Sequence, residues 1–438
     1  MNVYYYTFGC KVNQYETENI KESMENKGFH TEQDYCNADI AIINTCTVTS
    51  RSDLKCRQLL HKLKRENPDM IVVLTGCFPQ AFTEQAENFT ECDIITGSAN
   101  KSRIPDYIDE YLVHRQRIIN IPPHKKGEKF EQMTNRHIAG KTRAYIKIQD
   151  GCDQYCSYCI IPYARGHIRS KSLENIAAEA KMLADSDHKE IIAVGINLCC
   201  YGKDFNDGTR LADAVELICK TVGSKCRVRL GSIEPEMISD QDIIKLAGLD
   251  NFCPQFHLSL QSGCDKTLKE MNRKYTASEY KQLCSKLRKH FKDCAITTDV
   301  MVGFAGETDE DFKQSLEFVK SIGFAKVHIF PYSQRKGTIA AKRTDQIPKK
   351  VKQQRAEAMA AVCSEQRKEF LNSMIGRTFP VLFEKESCEE YHQGYTPNYT
   401  PVKVPRISPD ITLRKQVLNV KITDSGDDYC LGEIEERK

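Results

Sequence analysis

Residues 151–159 read Gly151-Cys152-Asp153-Gln154-Tyr155-Cys156-Ser157-Tyr158-Cys159, three thiols separated by three and then two residues. Spacing this tight turns all three sulfurs into one small loop, which is how cysteine-rich loops ligate iron–sulfur clusters. A zinc site would call for a fourth ligand, usually from a second pair, and the nearest downstream candidate is His167 alone. Three thiolates on a cluster leave one iron without a protein ligand, open to a small molecule. A strand-like run, RAYIKIQ at 143–149, leads into the loop, so the flanking pattern decides the architecture.

Downstream, short apolar runs alternate with amphipathic helical stretches: EIIAVG (190–195), RVRLG (227–231), QFHLSL (255–260), AITTDVMVG (295–303) and AKVHIF (325–330). With the run before Cys152 they make six βα units, too few for a closed eight-fold barrel, and predict a partial TIM-like (βα)6 barrel. Chemistry in such a barrel sits at the carboxyl ends of the strands, where Asn197, Glu234, Ser259, Gln261, Asp299 and Tyr332 fall. Any one of them could cap a loop; placement on one edge favours a shared ligand pocket. Gly303 and Gly306 in VGFAGET permit a tight turn or a close approach to a ligand.

Upstream, residues 3–8, 38–44, 70–75 and 93–96 read as strands with helical patterns between the first three, which predicts a parallel α/β domain. Three of its strand ends lead into cysteine: Cys10 after YYYTFG, Cys46 after IAIINT and Cys77 after VVLTG. Ligands gather at that edge of a parallel sheet, so the topology predicts a second three-thiolate site. Cys36, Cys56 and Cys92 lie at no strand end and read as structural. The expected division is an N-terminal domain at 1–113, a basic linker at 114–137 that includes Arg136, a barrel at 138–368, and a small antiparallel β-barrel at 373–438.

A formal charge of +3 and 28% charged residues place no constraint on partners by themselves. Local clusters are more telling: Arg335, Lys336, Lys342, Arg343, Lys349, Lys350, Lys352 and Arg355 form a basic tract, and Tyr391, Tyr395, Tyr399, Arg406, Arg414 and Lys415 bring aromatic and basic groups to the C-terminal region. Those are the components of RNA contact; a solvated helix face is the other reading of the tract. No export signal or membrane-length apolar run is evident. A cytoplasmic location is expected, where 20 cysteines favour metal ligation and core packing over disulfides.

The motifs TFGCKVNQYETE, NTCTVTSRSD, LTGC, DGCDQYCSYCIIPYARG, RLGSIEP, HLSLQSGCDKTLKEMNRKYT, TTDVMVGFAGETDEDF and FPYSQRKGT, in this order over nearly the whole chain, resemble the radical S-adenosylmethionine (SAM) methylthiotransferase family. GCKVNQYETE, NTCTVTSRSD and GYTPNY are most similar to its branch acting on N6-threonylcarbamoyladenosine of tRNA, 3′ of the anticodon. The resemblance implies two 4Fe-4S clusters, one on Cys152, Cys156 and Cys159 that binds and cleaves SAM, and one on Cys10, Cys46 and Cys77 that delivers sulfur to adenine C2. It further implies SAM contacts from Asn197, Glu234, Ser259 and Asp299, a C-terminal RNA-binding TRAM domain, a tRNA anticodon stem-loop as partner, and an electron donor such as flavodoxin or ferredoxin. Ala305 stands where the family usually has Pro, and Cys199 and Cys200 where small residues are common; a core or loop role is expected for both cysteines. The alternatives are action on isopentenyladenosine tRNA or on a ribosomal-protein aspartate and, in another class, a non-enzymatic iron–sulfur or RNA-binding protein.

Overall fold

The computed structural model describes residues 1–133, 141–235, 238–386, 390–406 and 411–435. In the N-terminal domain β1 (Asn2–Thr7), β2 (His30–Glu32), β3 (Ile40–Thr45), β4 (Ile71–Gly76), β5 (Ile94–Thr96) and β6 (Ile118–Asn120) form one parallel sheet in the order β2-β1-β3-β4-β5-β6. Every residue of β3 and β4 is buried, as expected of central strands covered by helices on both faces. The two edge strands, of three residues each, are too short to stand out in the sequence. Because β6 belongs to this sheet, the domain runs past residue 113 and the linker begins later than residue 114. Arg136 and the expected boundary at 137/138 lie outside the described residues.

The barrel follows with β7 (Arg143–Lys147), β8 (Gln149–Asp150), β9 (Arg169–Ser170), β10 (Glu190–Val194), β11 (Arg227–Leu230), β12 (Ser232–Ile233), β13 (Gln255–Leu258), β14 (Ala295–Val302) and β15 (Lys326–Pro331). β7, β10 and β11 pair in parallel, β12 carries the third strand onward after Gly231, and β12, β13, β14 and β15 pair in parallel. The result is the expected wall of six main strands, open between β7 and β15. Alternate residues of β14 divide its two faces: Ile296, Val300 and Val302 enter the outer core with Leu283, Val319 and Phe324, while Thr297 and Asp299 face the lumen. The two-residue ribbon of β8 against antiparallel β9 brackets the cysteine loop.

The helix Lys349–Asn372 leads to a closed barrel of β16 (Thr378–Glu386), β17 (Tyr391–Tyr395), β18 (Pro401–Pro405), β19 (Val417–Ser425) and β20 (Cys430–Ile434). Four of its five seams are antiparallel, as expected, and the fifth, between β18 and β20, runs parallel. Closure of five strands leaves an odd number to alternate, so one neighbouring pair must run the same way. The run QGYTPNYTPVKV is two strands, broken at Thr396–Thr400, where the Thr396 amide donates to the Thr400 carbonyl at 3.1 Å.

Candidate active site

The Cys152–Cys159 loop is held by its backbone. Gly151 has φ +73°, and a Cβ there would lie 1.9 Å from the His167 carbonyl oxygen, so glycine is required. The Cys152 amide donates to Gly166 at 3.0 Å and the Ser157 amide to Met271 at 3.0 Å. Asn197 Nδ2 donates to Cys152 Sγ at 3.7 Å, its own amide anchored on Gln149 at 2.7 Å. Arg273, which sequence reasoning left unassigned within NRKYT, donates to Cys156 Sγ at 3.4 Å and to the Ser259 carbonyl at 3.2 Å, and pairs with Glu234. Asn197, Glu234 and Ser259 thus gather at the rim of the loop. Asp299 stands apart on His257, its Oδ2 3.3 Å from the imidazole Nε2, and among the described residues no hydrogen bond or ion pair joins it to the loop. Cys199 and Cys200 are buried, with Cys199 donating to the Glu234 carbonyl at 3.5 Å.

The second trio is assembled from three neighbouring strand ends. Cys10 follows β1, Cys46 follows β3, and Cys77 follows β4. Gly9, at φ +103°, permits the closest approach: a Cβ on it would lie 2.5 Å from Cys46 Cβ and 2.9 Å from Cys46 Sγ. Asn13 ties the loops together, its Nδ2 donating to the Phe8 and Thr45 carbonyls at 2.9 Å each. Burial, reinforced by Cys77, pushes the Cys46 thiol up to about 12; burial, reinforced by Cys156, does the same to Cys159. Thiols kept neutral in this way become thiolates when a metal centre takes them as ligands. Among the described residues no group of three or more His, Cys, Asp or Glu side chains could hold a single metal ion. A guanidinium donates into one sulfur of each trio.

That second guanidinium is Arg165, at the end of the helix Ile161–Arg165 that follows Cys159. Its Nε donates to Cys77 Sγ at 3.1 Å and its Nη2 to Asn13 Oδ1 at 2.5 Å. It also pairs with Glu16, which takes Lys101 and, at 2.7 Å, Lys147 as further partners. Lys147 continues to Asp150 at 2.6 Å. Burial would raise the Glu16 carboxyl, but Arg165, Lys101 and Lys147 hold it well below the usual carboxylate range. Charged groups are almost never fully buried unless paired; here the pairs run between domains and set one cysteine loop against the other.

The expected RNA contacts are largely redrawn. Tyr395 and Tyr399 stack with ring centroids 4.7 Å apart, Arg143 lies over both rings and Arg229 over Tyr399 at 3.8 Å, and Arg143 donates to the Tyr399 hydroxyl at 2.6 Å. They are a plug between the C-terminal barrel and the floor of the larger one, not an open stacking platform. Lys415 is engaged with Asp187 at 3.1 Å. In the basic tract Arg335 reaches Thr47 and Asp53, Arg343 pairs with Glu270 and Asp345, Lys352 donates to the Tyr332 carbonyl and Arg355 pairs with Glu307. Lys336, Lys342, Lys349 and Lys350 remain exposed. Gly303 and Gly306 turn against Lys352 and the Arg343–Asp345 pair, not toward the cysteines.

A fold of this kind, with a three-thiol loop at the mouth of an open parallel barrel, is that of the radical SAM enzymes. Residues 146–319 match the Radical SAM superfamily and residues 2–97 the Uncharacterized protein family UPF0004. The chain is 35% identical over 99% of its length, and 96% of the relative's, to the threonylcarbamoyladenosine tRNA methylthiotransferase MtaB of Bacillus subtilis. It is 31% identical over 95% of its length, and 87% of the relative's, to the tRNA-2-methylthio-N(6)-dimethylallyladenosine synthase of Acetivibrio thermocellus. The radical SAM methyltransferase TsrM of Kitasatospora setae shares the fold, with a TM-score of 0.59 at 12% identity over 78% of this chain and 77% of that one. The protein belongs to the family of radical SAM tRNA methylthiotransferases, and SAM with a 4Fe-4S cluster is the equipment of that class. Among the described residues no helix is long and apolar enough to cross a membrane.

Proposed function

We propose that the protein methylthiolates N6-threonylcarbamoyladenosine at C2 in tRNA, 3′ of the anticodon, with Cys152, Cys156 and Cys159 holding a SAM-binding cluster and Cys10, Cys46 and Cys77 a second, sulfur-delivering one. The observation that carries this reading is Arg165, which leaves the first loop and donates to a thiol of the second. Two cysteine trios fastened to one another suit a reaction that removes hydrogen from a base and adds sulfur in its place. When bound, the groups on the two trios supply a 5′-deoxyadenosyl radical and the sulfur to be transferred. The chain's own residues set the positions. Asn197 orients Cys152, Arg273 orients Cys156 and fixes Glu234, and Asn197, Glu234 and the Ser259 backbone form the rim on which SAM rests. Asp299, deeper on His257, faces the same lumen. The C-terminal barrel acts as a TRAM domain that holds the anticodon stem-loop, the location is cytoplasmic, and a flavodoxin or ferredoxin supplies electrons.

The relatives named for threonylcarbamoyladenosine from Bacillus subtilis and Thermotoga maritima, at 35% and 37% identity, support that nucleoside over the isopentenyl one. The test is anaerobic turnover of the reconstituted protein with SAM, reductant and tRNA bearing either nucleoside, followed by nucleoside mass spectrometry. Product from the threonylcarbamoyl tRNA is expected. Product from the isopentenyl tRNA alone, or from a ribosomal protein alone, overturns the reading, and an absence of 5′-deoxyadenosine would favour a non-catalytic carrier.

A further inference from the structure

A cavity of about 640 Å³ runs through the barrel lumen and is lined by all three domains. Its barrel wall is polar: Gln255 Nε2 donates to Thr297 Oγ1 at 3.2 Å, and His257 Nδ1 lies 3.0 Å from the same oxygen. Its cations are almost all answered. Arg229 pairs with Glu190 at 2.8 Å, Lys326 and Arg367 with Asp428 at 2.7 and 2.9 Å, and Lys403 lies over the Tyr429 ring at 3.8 Å. The exception is Lys11, an exposed residue whose ammonium, among the described residues, has neither a hydrogen bond nor an ion pair. Lys11 enters the lumen because the next residue, Val12, packs on Ile192 and Val194 of β10. It is also the residue directly after Cys10.

We infer that Lys11 reads the carboxylate of the N6-threonylcarbamoyl group, making it the residue that separates this substrate from bases with an apolar N6 substituent. This rests on the substrate reading above. The C2 position and the N6-bearing carbon flank the same ring nitrogen of adenine, so a substituent on N6 leaves the base along the edge that is modified. A base offered to the Cys10 loop at C2 therefore carries its threonyl group into reach of the neighbouring residue. A carboxylate there gives the Lys11 ammonium the partner it lacks among the described residues, through a charge-assisted hydrogen bond. An isopentenyl group would desolvate the ammonium and meet a wall of amide, imidazole and hydroxyl groups, which is unfavourable on both counts.

The test compares anticodon stem-loops carrying threonylcarbamoyladenosine as the free acid or as its methyl ester, with the reconstituted holoenzyme, Lys11→Met and Lys11→Arg. Dissociation constants and KM are measured, and iron content establishes that each variant is loaded. The parent should prefer acid over ester by on the order of 10- to 100-fold, the range expected for one hydrogen bond to a charged group. Lys11→Met should lose that preference and Lys11→Arg recover part of it. A parent that binds acid and ester alike overturns the inference without recourse to a variant, as does a loaded Lys11→Met that keeps the parent's preference. If the parent acts on isopentenyl stem-loops and not on threonylcarbamoyl ones, the substrate reading fails and this inference with it; a parent that acts on the acid while ignoring its charge fails this inference alone.

Discussion

The two cysteine trios are built on opposite plans. Cys152, Cys156 and Cys159 share one nine-residue loop whose geometry is set by Gly151 and by amide hydrogen bonds to nearby turns. Cys10, Cys46 and Cys77 come from three strand ends that only the order β1-β3-β4 makes adjacent, and they meet only because Gly9 has no side chain to strike Cys46. A contiguous loop carries its ligand geometry with it; a trio drawn from separate strands has that geometry only while the sheet is intact and correctly docked. The charges follow the same division. The contiguous loop borrows one guanidinium, Arg273, from its own barrel. The sheet-edge trio depends on Arg165 from the other domain and on the buried carboxylate that holds Arg165 in place.

The largest effects should come from cutting each trio. On the proposed two-cluster arrangement, Cys156→Ala is expected to abolish SAM cleavage and to remove about half the iron. Cys46→Ala should leave 5′-deoxyadenosine formation intact and abolish the methylthiolated nucleoside. Iron analysis and product mass spectrometry on both variants check the division, and complete iron loss from either would merge the two sites into one.

Next in size is the cross-domain carboxylate. Glu16→Ala strips Lys101, Lys147 and Arg165 of their shared partner, and removing one member of a buried ionic group costs about 3–5 kcal/mol. Guanidinium melts should show that loss, and cluster occupancy should fall at the sheet-edge trio before it falls at the barrel loop. Equal loss at both would mean that the contiguous loop is no more self-sufficient than the assembled one.

The floor of the barrel offers a pH-dependent contrast to the rim. Burial raises the Glu190 carboxyl, but Arg229, Arg227 and Arg143 outweigh it and bring it down to about 2. Its stabilisation is complete above the unfolded carboxylate value of about 4.3 and is lost as pH falls from there toward the folded value, a contribution on the order of 3 kcal/mol. Stability measured between those pH values should decline more steeply in the parent than in Glu190→Gln, which starts lower and lacks this dependence.

The smallest effect concerns the helix surface. With Lys352 and Arg355 turned inward, Lys349 and Lys350 are the basic-tract residues on the helix Lys349–Asn372 left to meet RNA phosphates. Reversal of both to Glu should weaken tRNA binding several-fold and lower the magnitude of the salt slope by about 1 for each phosphate that is no longer neutralised. An unchanged slope would assign them to solvation of the helix.

Repetition made much of this legible in the chain. The alternation of buried strands and amphipathic helices, the three-thiol loop and the cysteine at each of three strand ends are local patterns, and local patterns survive in one dimension. Edge strands β2 and β6 escaped because three residues at a sheet margin need no apolar run, and the parallel seam of the small barrel because strand direction across a closure leaves no mark on composition. Aromatic and basic residues were the least readable. Tyr395 and Tyr399 look alike in sequence whether they stack on a base or on arginines, and Arg335, Lys352 and Arg355 have the same composition whether they meet phosphate or carboxylate. What a charge or a ring does depends on which partner is within a few ångströms, and those partners lie far away along the chain: Arg165 and Glu16, Arg143 and Tyr399, Arg335 and Thr47. The cysteine spacing determined the chemistry that the chain can support; the packing of three domains decided which charges are spent on holding it together and which, like Lys11, are left to meet a substrate.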